Sequence, residues 1–349
     1  MQDFLSKRAR VTAPYTAGEQ PQFSDVIKLN TNENPYPPSP AAIEAYRSYE
    51  AARLRLYPHP EGGELRTAAA ELSGLPESHV FCGNGSDEIL GFAFLAFFDG
   101  GVVFPDITYS FYKVWAALYN IPYTLLPLRD DFTVPVDELR AEGGIVLANP
   151  NAPTGIVLPL SEVETVLKNN PHCVVIVDEA YIAFGGESAD NLVKDYPNLL
   201  VVHTLSKSHA LAGLRSAYAF GQPQIIDGLT RVKDCFNSYP LDGAAQHMAA
   251  AALRDTTYYA GITQKVIATR DRTAARLQEI GFDVLPSSTN FVFAAKKGAD
   301  APRLKAWLEE DHIYVRHFGV PRISQYLRIT IGTDEQMDRL ISRIEAFPG

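Results

Sequence analysis

Short runs of apolar and β-branched residues recur from about residue 80 onward: VFC at 80–82, VVF at 102–104, IVLA at 145–148, CVVIV at 173–177, LLVVH at 199–203 and AYAF at 217–220. These runs are apolar throughout rather than at alternate positions, as expected of strands covered on both faces. Between most of them lie longer segments with helical spacing, such as 86–98, 108–118 and 161–168. The alternation predicts an α/β domain: a mostly parallel sheet flanked by helices.

After about residue 243 the pattern changes. A long helical stretch over roughly 243–280 is followed by FDVL, NFVFAA, a helix near 301–309, IYVR, YLRITIG and a terminal helix, which together read as a smaller α+β domain. The first thirty or so residues have no sheet pattern of their own and are expected to lie across this second lobe. The expected division is a large domain at 30–245, with 1–29 and 246–349 forming the small one.

Composition narrows the function. The chain has 349 residues, 46% of them hydrophobic and 21% charged, with no biased tract that argues for disorder. A formal net charge of −10 speaks against a nucleic-acid surface, which needs a basic face. Cys82, Cys173 and Cys235 are far apart and odd in number, and read as reduced core residues. No segment has the roughly 18 apolar residues of a membrane span, and the N-terminus lacks a signal-peptide core. A cytoplasmic protein acting on small molecules is expected.

In open α/β sheets ligands bind beyond the carboxyl ends of the strands, so the residues that follow each run matter most. After VFC comes GNGSDEIL, where Gly83 and Gly85 allow a tight turn and Ser86 and Asp87 open a helix. That start is either a phosphate cradle or a plain N-capped turn. It lacks the third glycine of a dinucleotide fingerprint. After CVVIV comes Asp178-Glu179-Ala180-Tyr181; a carboxylate at a buried strand end is costly unless something cationic or hydrogen-bonding meets it, although a helix cap is the plain alternative. The same stretch resembles the acidic strand of P-loop ATPases, but the chain has no GxxxxGK[ST]. After LLVVH comes TLSKSHALAGLR, 204–215, in which Arg215 can return past Gly213 to the neighbourhood of Lys207 and take a phosphate. The eight histidines show no HxxxH or HxH spacing, and no metal is expected.

NPNAPTG at 149–155, DEAY at 178–181 and SKSHALAGLR at 206–215 resemble, in that order and at those separations, the fold-type I pyridoxal-phosphate aminotransferases. LNTNENPYPPSP at 29–40, YPHPEGGELR at 57–66, GNGSDEIL at 83–90, NSYPLDGAAQ at 237–246 and YLRITIGT at 326–333 are similar to the histidinol-phosphate aminotransferase family, and the resemblance covers nearly the whole chain. It implies that Lys207 carries pyridoxal 5′-phosphate as a Schiff base and moves the substrate proton. Asp178 would pair with the pyridine nitrogen, Tyr181 would donate to the ring O3′, and Tyr109 would lie on the ring face, unless it is a core aromatic. The phosphate would be held by Ser206, Arg215 and the Gly85-Ser86-Asp87 helix start, with Thr204 beside it. Tyr57 would reach that phosphate from a neighbouring subunit, making a homodimer. The family usually has Asn directly before Pro-Thr-Gly, where this chain has Ala152, leaving O3′ to Asn151 or to Tyr181 alone.

For substrate, the resemblance implies Arg328, Arg316, Tyr15 and Asn32, with a structural salt bridge as the alternative for Arg316. The implied reaction exchanges histidinol phosphate and imidazole-acetol phosphate against glutamate and 2-oxoglutarate, in histidine biosynthesis. Rival readings are an aromatic amino-acid aminotransferase, a threonine-phosphate decarboxylase and, from another class, an inactive pyridoxal-phosphate-binding regulatory module; Lys207, Asp178, Tyr181 and Arg215 together argue against the last.

Overall fold

A computed structural model describes residues 4–16 and 18–348. Its larger sheet has seven strands in the order β2-β8-β7-β6-β5-β3-β4. They are β2 (Val80–Gly83), β3 (Val102–Pro105), β4 (Tyr123–Leu126), β5 (Gly144–Ala148), β6 (Val174–Asp178), β7 (Leu199–Thr204) and β8 (Ala217–Gly221). Only β8 runs antiparallel to its neighbours β2 and β7, so the sheet is mostly parallel. Six of these strands coincide with the apolar runs; β4 was not among them because its burial is that of an exposed edge.

The strands are apolar at every position because the pleat sends alternate residues into two separate cores. In β7, Leu199 and Val201 join one core while Leu200 and Val202 join the other. In β6, Val175 and Val177 face the first core, and Val174 and Ile176 the second. Counting on by two, Asp178 points to the second face, which is rich in aromatic residues supplied by the helices Ser86–Phe97 and Phe111–Tyr119.

The smaller sheet has five strands in the order β1-β11-β12-β10-β9. They are β1 (Ile27–Leu29), β9 (Phe282–Val284), β10 (Phe291–Lys296), β11 (Ile313–His317) and β12 (Tyr326–Thr330). They share a core with the long helix Thr256–Glu279 and the terminal helix Asp334–Glu345, the latter started by a capping box between Thr333 and Gln336. The expectation that the first thirty residues lack a strand is corrected here, since β1 pairs in parallel with β11. Three residues are too short for periodicity to register. Residues 1–3 and 17 of that segment lie outside the described residues.

The helical stretch expected over 243–280 is two helices, Gly243–Arg254 and Thr256–Glu279. Asp255 ends the first by leaving helical geometry and caps the second by accepting from the Tyr258 N–H. Cys82 and Cys173 are buried free thiols, whereas Cys235 is exposed, which corrects its placement in the core. Among the described residues no helix is long and apolar enough to cross a membrane.

Candidate active site

The carboxyl ends of β5, β6 and β7 open onto a cavity of about 370 Å³, lined from β5 by Ala148, from β6 by Asp178 and from β7 by Thr204. That volume lies within the range of roughly 300–1,000 Å³ usual for small-molecule sites. Ser86, Asp87, Tyr109, Tyr181, Ser206, Lys207 and Arg215 complete much of its wall, so nine of the expected residues meet in one place.

Lys207 stands at the centre. Its Nζ donates to the Thr31 carbonyl at 3.2 Å and lies 5.9 Å from the centre of the Tyr181 ring. Burial, followed by the charge of Arg328, pulls its ammonium down to about 8. A lysine in this condition has a substantial neutral fraction near physiological pH, which is what a nucleophilic amine needs.

Asp178 is buried at the end of β6, and burial pushes its carboxyl up to about 6 in spite of a hydrogen bond from Tyr112. Tyr112 Oη donates to Oδ2 at 2.8 Å, and the Ala180 N–H to Oδ1 at 3.3 Å. Asp178 does not cap a helix. Tyr181 Oη accepts from the Asn32 side-chain amide at 2.8 Å, and Asn32 is itself fixed because its N–H donates to Thr330 Oγ1, whose hydroxyl donates back to Asn32 Oδ1. With that lone pair occupied, the Tyr181 hydroxyl proton is free to point into the cavity.

The other end of the cavity is built for an oxyanion. The helix Ser86–Phe97 starts here with no side chain capping it, so its first N–H groups are available, and the plain N-cap reading fails. Arg215, held at φ +56°, brings its guanidinium over Gly85, and its Nη2 lies 3.4 Å from Asp87 Oδ2. Gly85 has φ +87°, and a Cβ there would come within 2.5 Å of Arg215 Nη2. Gly85→Ala therefore strains the backbone and displaces the guanidinium together. The expected result is a cofactor affinity about tenfold or more weaker, read by fluorescence titration of the apoprotein, because one charged hydrogen-bonding group is lost from the anion.

Tyr109 divides this cavity from a smaller one of about 100 Å³, whose walls include Tyr15, Arg316, Phe318 and Arg328. Tyr109 Oη donates to Asp87 Oδ1 at 2.9 Å. Tyr15 stacks on Phe111 with ring centres 4.7 Å apart. Arg316 donates to the Thr16 carbonyl and makes no salt bridge with an acidic side chain among the described residues, so the structural ion pair weighed for it is not formed. Arg328 donates from Nη2 to the Asn30 carbonyl at 3.0 Å, but its Nε is buried without a hydrogen-bond partner. An unmatched buried guanidinium N–H is costly, and an anionic ligand would relieve it.

Two expected residues are placed elsewhere. Asn151 does not face the cavity; its amide donates to the Ile107 carbonyl and Thr154 Oγ1, and its Oδ1 accepts from Thr108 Oγ1. Its hydrogen-bonding capacity is spent on the turn, so it does not replace the missing asparagine, and Ala152 lines the wall instead. Tyr57 lies outside the cavity within its own chain, 82% exposed and stacked on Tyr239 at 4.6 Å. Tyr112 and Glu33, which lines the cavity while paired to Lys28, were not singled out in the sequence. Tyr112 had a visible signal, one helical turn beyond Tyr109, but an aromatic in a helix reads first as core.

The donor set fits pyridoxal 5′-phosphate: a lysine for its aldehyde, a buried carboxylate for its ring nitrogen, a tyrosine hydroxyl, and a glycine-floored cradle for its phosphate. The chain belongs to the class I and II aminotransferases, whose family model matches residues 24–344, and it is accordingly a pyridoxal-phosphate-dependent transaminase. Relatives make the class more definite. The chain is 52% identical to the histidinol-phosphate aminotransferase of Acetobacter pasteurianus, over 99% of this chain and 98% of that one. It is 51% identical to histidinol-phosphate aminotransferase 2 of Dechloromonas aromatica over the whole of both. Among solved structures, the histidinol-phosphate aminotransferase of Sinorhizobium meliloti in complex with pyridoxal-5′-phosphate superposes with a TM-score of 0.83 at 26% identity, covering 92% of this chain and 91% of that one.

Proposed function

We propose that the chain transfers the amino group of histidinol phosphate to 2-oxoglutarate, giving imidazole-acetol phosphate and glutamate, or runs the exchange in reverse as a step of histidine biosynthesis. The observation that carries the substrate assignment is the half-buried Arg328 with its buried, unpartnered Nε, which lines the smaller cavity together with Arg316 and Tyr109. A guanidinium pair accepts a phosphate monoester and a carboxylate alike, as two substrates sharing one site require.

Pyridoxal 5′-phosphate, when bound, supplies an electron sink for the electrons released at the substrate α-carbon. Asp178, which lines the cavity, would pair with the ring nitrogen and favour its protonated form. Ser206, Arg215 and the N–H groups opening the helix Ser86–Phe97 would hold the phosphate, with Thr204 supporting Ser206 through a 3.0 Å hydrogen bond. Tyr181, aimed by Asn32, would donate to O3′ without help from position 152. Lys207 Nζ would hold the cofactor aldehyde and would be the base that moves the proton from the substrate α-carbon to C4′. Tyr109 and Tyr15 wall the space between the two anion sites and limit water entry.

Tyr57 acts on the phosphate of a neighbouring subunit, so the working unit is a homodimer with two shared sites. We assign residues 30–245 to the large domain and residues 1–29 with 246–349 to the small one.

The test adds histidinol phosphate, glutamate and phenylalanine separately to the holoenzyme and follows loss of its visible cofactor band. Conversion at low concentration by histidinol phosphate, with glutamate also active, is the expected result. Preference for phenylalanine would move the assignment to aromatic transamination, and carbon dioxide release from a phosphorylated amino acid would move it to decarboxylation.

A further inference from the structure

The larger sheet places a second titratable hydroxyl against the carboxylate that faces the cofactor. Tyr112 lies in the first turn of the helix Phe111–Tyr119 and is fully buried. Its ring packs among Phe94, Phe104 and Tyr109, with centres 5.6–6.4 Å away. That packing leaves the ring one orientation, in which Oη meets Asp178 Oδ2 at 2.8 Å. We propose that Tyr112 is a positioning residue that fixes the rotamer of Asp178 and keeps its carboxylate ionised toward the cofactor's ring nitrogen. This rests on the reading of Asp178 given above.

A buried aspartate has strong reason to take up a proton, and a neutral carboxylic acid would be a poor partner for a protonated ring nitrogen. A phenol that donates without itself ionising opposes this. Burial, with Asp178 next, holds the Tyr112 hydroxyl well above its ordinary range, so it remains a donor across the working pH range. The other groups facing Asp178 do not do the same work. Asp87, from the helix Ser86–Phe97, is a like charge and favours the protonated carboxyl. His203 on β7 favours the ionised form but is held by Asp190, at 2.7 Å, and by Glu179. Tyr181 accepts from Asn32 and makes no hydrogen bond to Asp178, and Lys207 donates to the Thr31 carbonyl. Tyr112 alone among them donates directly to the Asp178 side chain; the second donor, the Ala180 N–H, is longer at 3.3 Å.

Tyr112→Phe removes the hydroxyl and keeps the ring. The informative measurement compares the affinity of the apoprotein for pyridoxal 5′-phosphate with that for its analogue carrying carbon in place of the ring nitrogen, by fluorescence titration. Both ligands have the same aldehyde and phosphate, so the ratio isolates the nitrogen. The unaltered protein is expected to prefer the natural cofactor. Tyr112→Phe is expected to reduce that preference about tenfold, the usual effect of one hydrogen bond to a charged group, and to lower kcat rather than raise KM. A purely structural tyrosine would weaken both ligands equally. An unchanged ratio in a folded Tyr112→Phe protein overturns the proposal. Absence of any preference in the unaltered protein overturns the reading of Asp178 itself, and the proposal with it. Should Tyr112→Phe not fold, 3-fluorotyrosine at position 112 provides a stronger donor of nearly the same shape; the ratio must then rise, and no rise overturns the assignment.

Discussion

Lys207→Ala lowers turnover by at least about 10⁴-fold, since one side chain serves as both nucleophile and proton carrier. The variant remains folded and shows no Schiff-base absorbance, because no lysine amine is left to react with the cofactor aldehyde. Among the described residues the Lys207 side chain makes one hydrogen bond, to the Thr31 carbonyl, so its removal leaves one acceptor facing a cavity that water can enter. Melting temperature and chromatographic size should therefore change little. Near-normal activity would remove Lys207 from the mechanism. The same amine has a kinetic signature in the unaltered apoprotein. Its ammonium is lowered from 10.5 to about 8, first by burial and then by the Arg328 charge, and only the neutral amine attacks an aldehyde. The rate at which the apoprotein takes up pyridoxal 5′-phosphate should rise with pH to a plateau, with its midpoint near 8. An ordinary solvated lysine would place that midpoint near 10.5.

Arg328→Met keeps the cofactor band and loses the substrates. Methionine keeps an unbranched apolar side chain but removes the guanidinium, whose carbon lies 5.4 Å from the ring centres of both Phe291 and Phe318, and with it the charge and the unmatched Nε. Leaving an anion without its buried partner costs about 2–5 kcal/mol, so kcat/KM for histidinol phosphate and for glutamate should each fall about 10²- to 10³-fold. A loss confined to one substrate would show that the two anions do not share this site. Because Arg328 is among the charges that lower the Lys207 ammonium, the variant should also move the midpoint of cofactor uptake to higher pH. The two readouts separate a lost anion site from a collapsed one, since a collapsed site would not load cofactor at all.

The large sheet was legible because burying both faces forces unbroken apolar runs, and the residues that follow β2, β6 and β7 are the ones that meet at the cavity. Edge strands carry no such signal. The residues of β4 are largely exposed, and β1 is too short for any periodicity. The break at Asp255 was hidden because the helical spacing continues on both sides while the side chain changes role from interior residue to cap. Asn151 shows another limit: sequence fixes which residue stands near a site, but whether its amide faces inward depends on what the turn's own backbone claims first. Tyr112 shows the converse, a residue whose hydrophobic bulk conceals a single polar contact.

Three successive residues beyond β1 each reach a different part of the site. The Asn30 carbonyl accepts from Arg328, the Thr31 carbonyl from Lys207, and the Asn32 side chain donates to Tyr181. The pairing of Leu29 with Val315 sets where this tripeptide begins, and the turn of Asn32 to φ +57° sets where it ends. Inserting one residue after Leu29 would reverse which way every following group points, although both sheets could still form. The segment therefore acts as a gauge block whose length matters more than its composition: many substitutions there would be absorbed one contact at a time, whereas a single-codon insertion or deletion would disengage the anion site, the lysine and the tyrosine together.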